Sequence, residues 1–338
     1  MKLSKKEFGL GATLIEIQNS KGTYISFSNL GARIVDWIVP TKNEERNIVL
    51  GFESASEYLA KDAYQGASIG RVAGRIKNGR FTIGGKDYQA TLNNNGNTLH
   101  GGKKSFEEKL WLFETFEEET KAGVHFYLTS NDLENGFPGE LSIRVTHAFD
   151  EDGEWRIDYH GTSTKDTLFN PTNHVYFNLS GDVTQSIGNH MLKLNADEML
   201  MIDEQVIPIG ERLNLDEVGL SMKNGRLLSE IFQSQNKQLA FQNGLDHPFY
   251  LNESFTEMKQ VELSFEDTHL EIYTDRPSVV IFTSNFHEQG PIMRGKKLVH
   301  NGGVTFETQV APDDVDGMVL KAGELFESTT IYKVSALQ

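Results

Sequence analysis

Residues 141–164 read LSIRVTHAFDEDGEWRIDYHGTST. Two runs of about eight to ten residues alternate apolar and polar side chains on either side of a break at Glu151 to Gly153. A period of two means extended backbone with one face buried, and a short Gly-containing break between two such runs means an antiparallel hairpin. Residues 80–90, RFTIGGKDYQA, repeat the pattern with Gly84-Gly85 at the turn. The segments LWLFETF, VHFYLTS, QVELSFED, LEIYTD, SVVIFTSNF and VTFETQV add strands, most bounded by Gly, Asn, Asp or Pro.

Helical signals are few and short. SASEYLA, Ser54 to Ala60, predicts one or two turns capped by Ser54, and Leu227 to Phe232 predicts another. Neither can cover a sheet, so the sheets must bury their apolar faces on each other. With no repeat and no low-complexity linker, the expectation is all-β: a large antiparallel β-sandwich with a few short helices, residues 1–338 forming a single catalytic domain.

The 338 residues are 38% hydrophobic and 24% charged, a globular composition. With 48 acidic against 32 basic residues the net charge is -16, which repels phosphate backbones and anionic lipid and argues against nucleic acid and membrane as partners. The absence of cysteine excludes disulfides, thiolate metal sites and cysteine nucleophiles. No secretory leader and no apolar stretch approaching the roughly 20 residues of a membrane span is found, so a cytoplasmic protein is expected.

Two strands carry unusual polar faces. In NPTNHVYFNLSG, residues 170–181, alternation sends Val175, Phe177 and Leu179 to one side and His174, Tyr176, Asn178 and Ser180 to the other, a face that is polar but uncharged. In VTFETQV, residues 304–310, Thr305, Glu307 and Gln309 oppose Val304, Phe306, Thr308 and Val310. Glutamate is uncommon in mid-strand, though a solvated sheet face would also explain Glu307. Of the ten histidines, His100 in NTLHGG and His174 stand out by their company, while His125, His147 and His160 sit in ordinary strands. Arg75 offers a rigid fork of donors but equally belongs to a basic loop with Arg71, Lys77 and Arg80, and Asp246 equally serves a turn. HExxH, P-loop, GxGxxG and GxSxG patterns are absent, so neither metal nor cofactor is expected. A metal-free set of His, Glu, Arg, Asp and Asn flanked by aromatics suits a neutral polyhydroxylated ligand, a sugar.

The ordered segments FGLG, SNLGARIVDWIVP, GRVAGRIKNGRF, NTLHGG, NPTNHVYFNLSG, GLDHPF, VVIFTSNF, GGVTFETQVAPD and LKAGELFESTTIY run almost end to end. With them the chain resembles the aldose 1-epimerases, or galactose mutarotases, of bacterial type. The resemblance implies the β-sandwich of that family and no cofactor. It also implies that Glu307 is the general base and His174 the general acid, with His100, Arg75 and Asp246 holding sugar hydroxyls and Gln309, Phe282 and Tyr176 supporting the pocket. Asn178 is either a ligand contact or a structural hydrogen bond. Where many members read GRYANRI this chain reads GRVAGRI, with Val72 and Gly74 in place of the aromatic and the asparagine. The expected reaction is anomer interconversion on a free aldose by a monomer or homodimer, with acid and base flanking the ring. The alternatives are hexose-6-phosphate epimerisation, for which Arg71 and Lys77 could take the phosphate, and sugar binding without turnover.

Overall fold

A computed structural model describes residues 1–42, 44–285 and 290–336. Its three main sheets are antiparallel. A five-stranded sheet runs in chain order through Lys2–Gly9, Ala12–Gln18, Tyr24–Ser28, Arg33–Pro40 and Glu45–Asn47. A nine-stranded sheet contains the hairpin of Leu141–Asp150 and Glu154–Ser163, flanked on one side by Lys121–Ser130 and Leu112–Glu117. On its other side Leu325–Ala336 inserts before Thr268–Thr274, Lys259–Phe265, Met191–Leu194 and Arg226–Leu227. A six-stranded sheet has the order Tyr176–Phe177, Val304–Gln309, Ser278–Phe282, Asp246–Leu251, Ala196–Ile202 and Pro208–Asn214.

The alternation in 141–164 has the packing consequence it implied. Phe149 pairs with Trp155 across the turn, and Trp155 is fully buried where the three sheets meet. Its indole stands edge-on to Trp37 of the five-stranded sheet (centroids 5.6 Å, 85°) and stacks on Tyr332 (4.6 Å, 19°). Tyr332 in turn touches Phe177, which meets Phe306 in the six-stranded sheet. One aromatic row therefore ties all three sheets together, and offset and edge-on ring pairs add to the stabilisation from area burial. His147 is absorbed into this core: its Nδ1 accepts from Trp155 Nε1 and its Nε2 donates to the Ala32 carbonyl, so burial pushes it down to about 3 and it stays neutral.

Ser54 caps the helix Ala55–Lys61, its hydroxyl accepting from Glu57 N, and a second helix spans Leu228–Phe232. A third, Lys237–Ala240, has no counterpart in the sequence reading; four residues are too few to show a period. The strand candidate 278–286 ends at Phe282, and its last residue, Phe286, lies outside the described residues.

The stretch 170–181 departs from the expected single strand. Thr172–Asn173 and Tyr176–Phe177 are separate two-residue strands because the chain changes pairing partners at His174. Before that point it pairs with Ser68 and Ile69, and His174 itself exchanges hydrogen bonds with Ala67 O (2.9 Å) and Gly66 N (3.0 Å). After it, Tyr176 pairs with Thr305. Val175, Phe177 and Leu179 still fill the core, as the alternation required.

Candidate active site

The register of the six-stranded sheet builds the floor of a cavity. Asp246 pairs with Phe282, Phe282 with Thr305, and Thr305 with Tyr176, so these four side chains form one row on one face. Two residues along, Val280 pairs with Glu307 on the same face. A two-residue ribbon, Arg75–Ile76 against Thr98–Leu99, brings Arg75 opposite Leu99 and sets Gly74 beside His100. The end of helix Ala55–Lys61 and the loop that leaves it supply Lys61, Asp62 and Tyr64. Together with His174 and Pro291 these residues enclose about 570 Å³, within the range of small-molecule sites.

At the foot of the cavity His174 Nε2 lies 3.3 Å from Glu307 Oε1, both side chains nearly sealed from solvent at 6% and 4% exposure. The two touch each other, whereas flanking positions on either side of a ring were expected. Burial pushes the Glu307 carboxyl up to about 8 against the pull of Arg75 and of Thr305, whose Oγ1 stands 3.4 Å from the same oxygen. Burial also lowers His174, opposed by the negative charges of Asp62 and Asp246. The pair therefore holds one shared proton near neutrality. Asp246 is raised by burial to about 6, and its Oδ2 faces Arg75 at 3.9 Å. Tyr64 covers both imidazoles, 4.8 Å edge-on to His100 and 6.2 Å stacked over His174.

Seven of the nine residues named from the sequence thus surround one cavity: Glu307, His174, His100, Arg75, Asp246, Phe282 and Tyr176. Two do not. Gln309 is fully buried two positions beyond Glu307, and its carboxamide finds no hydrogen-bond partner among the described residues. Asn178 is tied into the backbone: its Nδ2 lies within hydrogen-bond reach of the carbonyls of Asp182, Gln185 and Gly302, and its Oδ1 accepts from Ser180 N and Oγ. Asn178→Ala should leave the KM for sugar unchanged while lowering stability by about 1–3 kcal/mol, because the buried Gly302 carbonyl loses its donor. Sugar kinetics alongside urea unfolding would check this; a raised KM at full stability would count against it.

Asp62, Tyr64 and Val280 were not anticipated. Asp62 ends a helix and Tyr64 sits in a loop, where no periodicity singles out a side chain, and Val280 reads as an ordinary core residue. Of the two departures from GRYANRI, Val72 is buried in an apolar cluster with Phe81 and Phe137, whereas Gly74 lines the cavity. Among the described residues, donor atoms of His100, His174 and Glu307 lie within 4.8 Å of one another, a grouping that a metal ion could also use.

An antiparallel sandwich that sets one imidazole against one carboxylate at the foot of a cavity holds the parts that acid/base chemistry needs. The chain belongs to the aldose 1-epimerase family, whose profile matches residues 13–333, and is an isomerase. It is 36% identical over 299 residues to the galactose mutarotase of Bos taurus, covering 86% of this chain and 84% of that one. It is 29% identical over 334 residues to the aldose 1-epimerase of Escherichia coli K12, covering 96% and 95%. The galactose 1-epimerase structure from Lactobacillus acidophilus NCFM superposes with a TM-score of 0.90 at 26% identity, covering 100% of this chain and 99% of that one. No helix among the described residues is long and apolar enough to cross a membrane.

Proposed function

We propose that this protein interconverts the α and β anomers of a free hexose such as galactose or glucose, with Glu307 as general base and His174 as general acid. The observation that carries the assignment is the 3.3 Å contact of His174 Nε2 with Glu307 Oε1, sealed at the foot of the cavity. Opening a cyclic hemiacetal removes the proton of the C1 hydroxyl and protonates the ring oxygen. Both oxygens are bonded to C1, so acid and base must be neighbours, and a touching pair meets that need. The aldehyde then rotates and recloses on its other face. Ring opening thus leaves Glu307 protonated and His174 neutral, and reclosure runs both transfers backward, His174 taking the proton of the ring hydroxyl and Glu307 returning one to the C1 oxygen, so the pair is restored for the next turnover. Arg75, Asp246 and His100 are placed to hold hydroxyls, while Tyr64, Tyr176 and Phe282 offer rings to the C–H face. Because the cavity draws residues from Lys61 to Glu307 and the main core runs from Ile15 to Tyr332, residues 1–338 are read as one catalytic unit.

A phosphorylated substrate fits less well. Arg71 is buried, with its guanidinium donating to the carbonyls of Ser130, Asn131, Pro138 and Gly139. Lys77 is exposed and does not line the cavity. Within the cavity Arg75 shares the lining with Asp62 and Asp246, and Lys61 already pairs with Glu57 and donates to the Ile292 carbonyl. Polarimetry on freshly dissolved α-galactose, α-glucose and glucose 6-phosphate tests the reading. Free sugars should equilibrate well above the spontaneous rate and the phosphate ester much more slowly; a preference for the ester would overturn the substrate assignment.

A further inference from the structure

We propose that His100 is held by the backbone of Gly74 as a neutral Nε2–H donor, so that the His100–His174–Glu307 cluster serves sugar oxygens and is not a metal centre. The two residues are bonded twice. His100 N donates to the Gly74 carbonyl at 3.0 Å, continuing the ladder past the Arg75–Leu99 pair. In return Gly74 N donates to His100 Nδ1 at 3.2 Å. A backbone N–H only donates, so Nδ1 must accept, and the single proton of a neutral imidazole is left on Nε2.

The surrounding backbone allows no easy escape from this arrangement. Gly74 and His100 both sit in the left-handed region, at φ +75 and +50, and Gly101 follows at φ +81, where a Cβ would come 2.0 Å from the Gly70 carbonyl oxygen. The imidazole is 7% exposed and wedged edge-on against Tyr64 and His174. Burial, with His174 and Arg75 nearby, keeps it from taking a second proton.

The consequence for metals is chemical. A metal ligand must offer a lone pair, and His100 has one lone pair, already committed to Gly74. Coordination would require moving the proton from Nε2 to Nδ1, against an N–H donor in a buried site. Of the three groups spaced for a metal, one is therefore switched off by its tautomer, while the same tautomer presents a donor to any oxygen in the cavity. That the oxygen belongs to a sugar rests on the function proposed above; the tautomer does not.

The test uses the full-length protein with ¹⁵N-labelled histidine. At pH 7 without sugar, long-range correlation spectra should show His100 protonated on Nε2 and not on Nδ1, and micromolar Zn²⁺ should neither bind stoichiometrically in calorimetry nor compete with sugar. The amide nitrogen of glutamine stands near Nε2 of histidine and that of asparagine near Nδ1. His100→Gln should therefore keep about tenfold more kcat/KM than His100→Asn, the scale of one hydrogen bond. An Nδ1–H signal, one tightly bound zinc displaced by galactose, or equal losses in the two variants would overturn the inference. If neither variant folds, the wild-type spectrum and zinc titration still decide. The expected tautomer in a protein without mutarotase activity would sink the functional reading alone.

Discussion

Purified Glu307→Gln protein should lose on the order of 10²–10⁴ in kcat for mutarotation while folding normally. Glutamine keeps the shape of the side chain but cannot take the C1 hydroxyl proton at any pH. KM should change little, because the carboxyl's main work is done as the proton moves. A second measurement guards against mistaking misfolding for lost chemistry. The folded state raises the Glu307 carboxyl to about 8 by burying it, so folding favours the protonated form. Stability owed to that proton is fully present below the unfolded value, near 4.3, and drains away as pH rises to about 8. The variant has no proton to lose, so its stability relative to wild type should improve between pH 5 and 8. Urea unfolding at both pH values reads this directly. Full activity in the variant would remove Glu307 from the mechanism, and a variant that loses stability relative to wild type as pH rises would contradict its buried, raised state.

His174→Asn should show a loss of the same order, and combining it with Glu307→Gln should cost scarcely more than the worse single change. Two groups that pass one proton cycle between them act as a unit, so removing either disables both. The wild-type pH profile of kcat/KM should be a plateau with two limbs that belong to the pair. Toward alkaline pH the pair gives up its shared proton near pH 8, leaving a base with no acid; toward acid, below the usual histidine range, it takes a second and keeps an acid with no base. Stopped-flow or polarimetric rates from pH 5 to 9 would reveal the limbs. Fully additive losses, or a His174→Asn enzyme that keeps the wild-type profile, would show that the 3.3 Å contact is structural.

What the sequence made legible follows from period and chemistry. Alternation located the hairpin of 141–164 and the strand 304–309, and the rarity of a mid-strand carboxyl drew attention to Glu307. Alternation specifies a face but not how far along it a cavity extends. For that reason Gln309 has the right parity and lies beyond the pocket. The same limit applies to Asn178, which follows Tyr176 in parity, yet a bend of the chain turns it onto the backbone of 182–185 and 302. Asp62 and Tyr64 were invisible because a loop leaving a short helix has no period, and their position depends on tertiary packing alone.

The insertion of Leu325–Ala336 into the middle of the nine-stranded sheet has a consequence for how the protein is made. Glu154–Ser163 and Thr268–Thr274 both hydrogen-bond to it and not to each other. While the chain is being synthesised, each must wait with one row of N–H and C=O groups bare until residues well after 300 have emerged. Such open edges are templates for pairing with the wrong strand or another nascent chain. Heavily non-local pairing of this kind also slows folding. The molecule is thus most vulnerable to aggregation when nearly all of its active-site residues have already been translated, and its final strand is the one that closes the sheet.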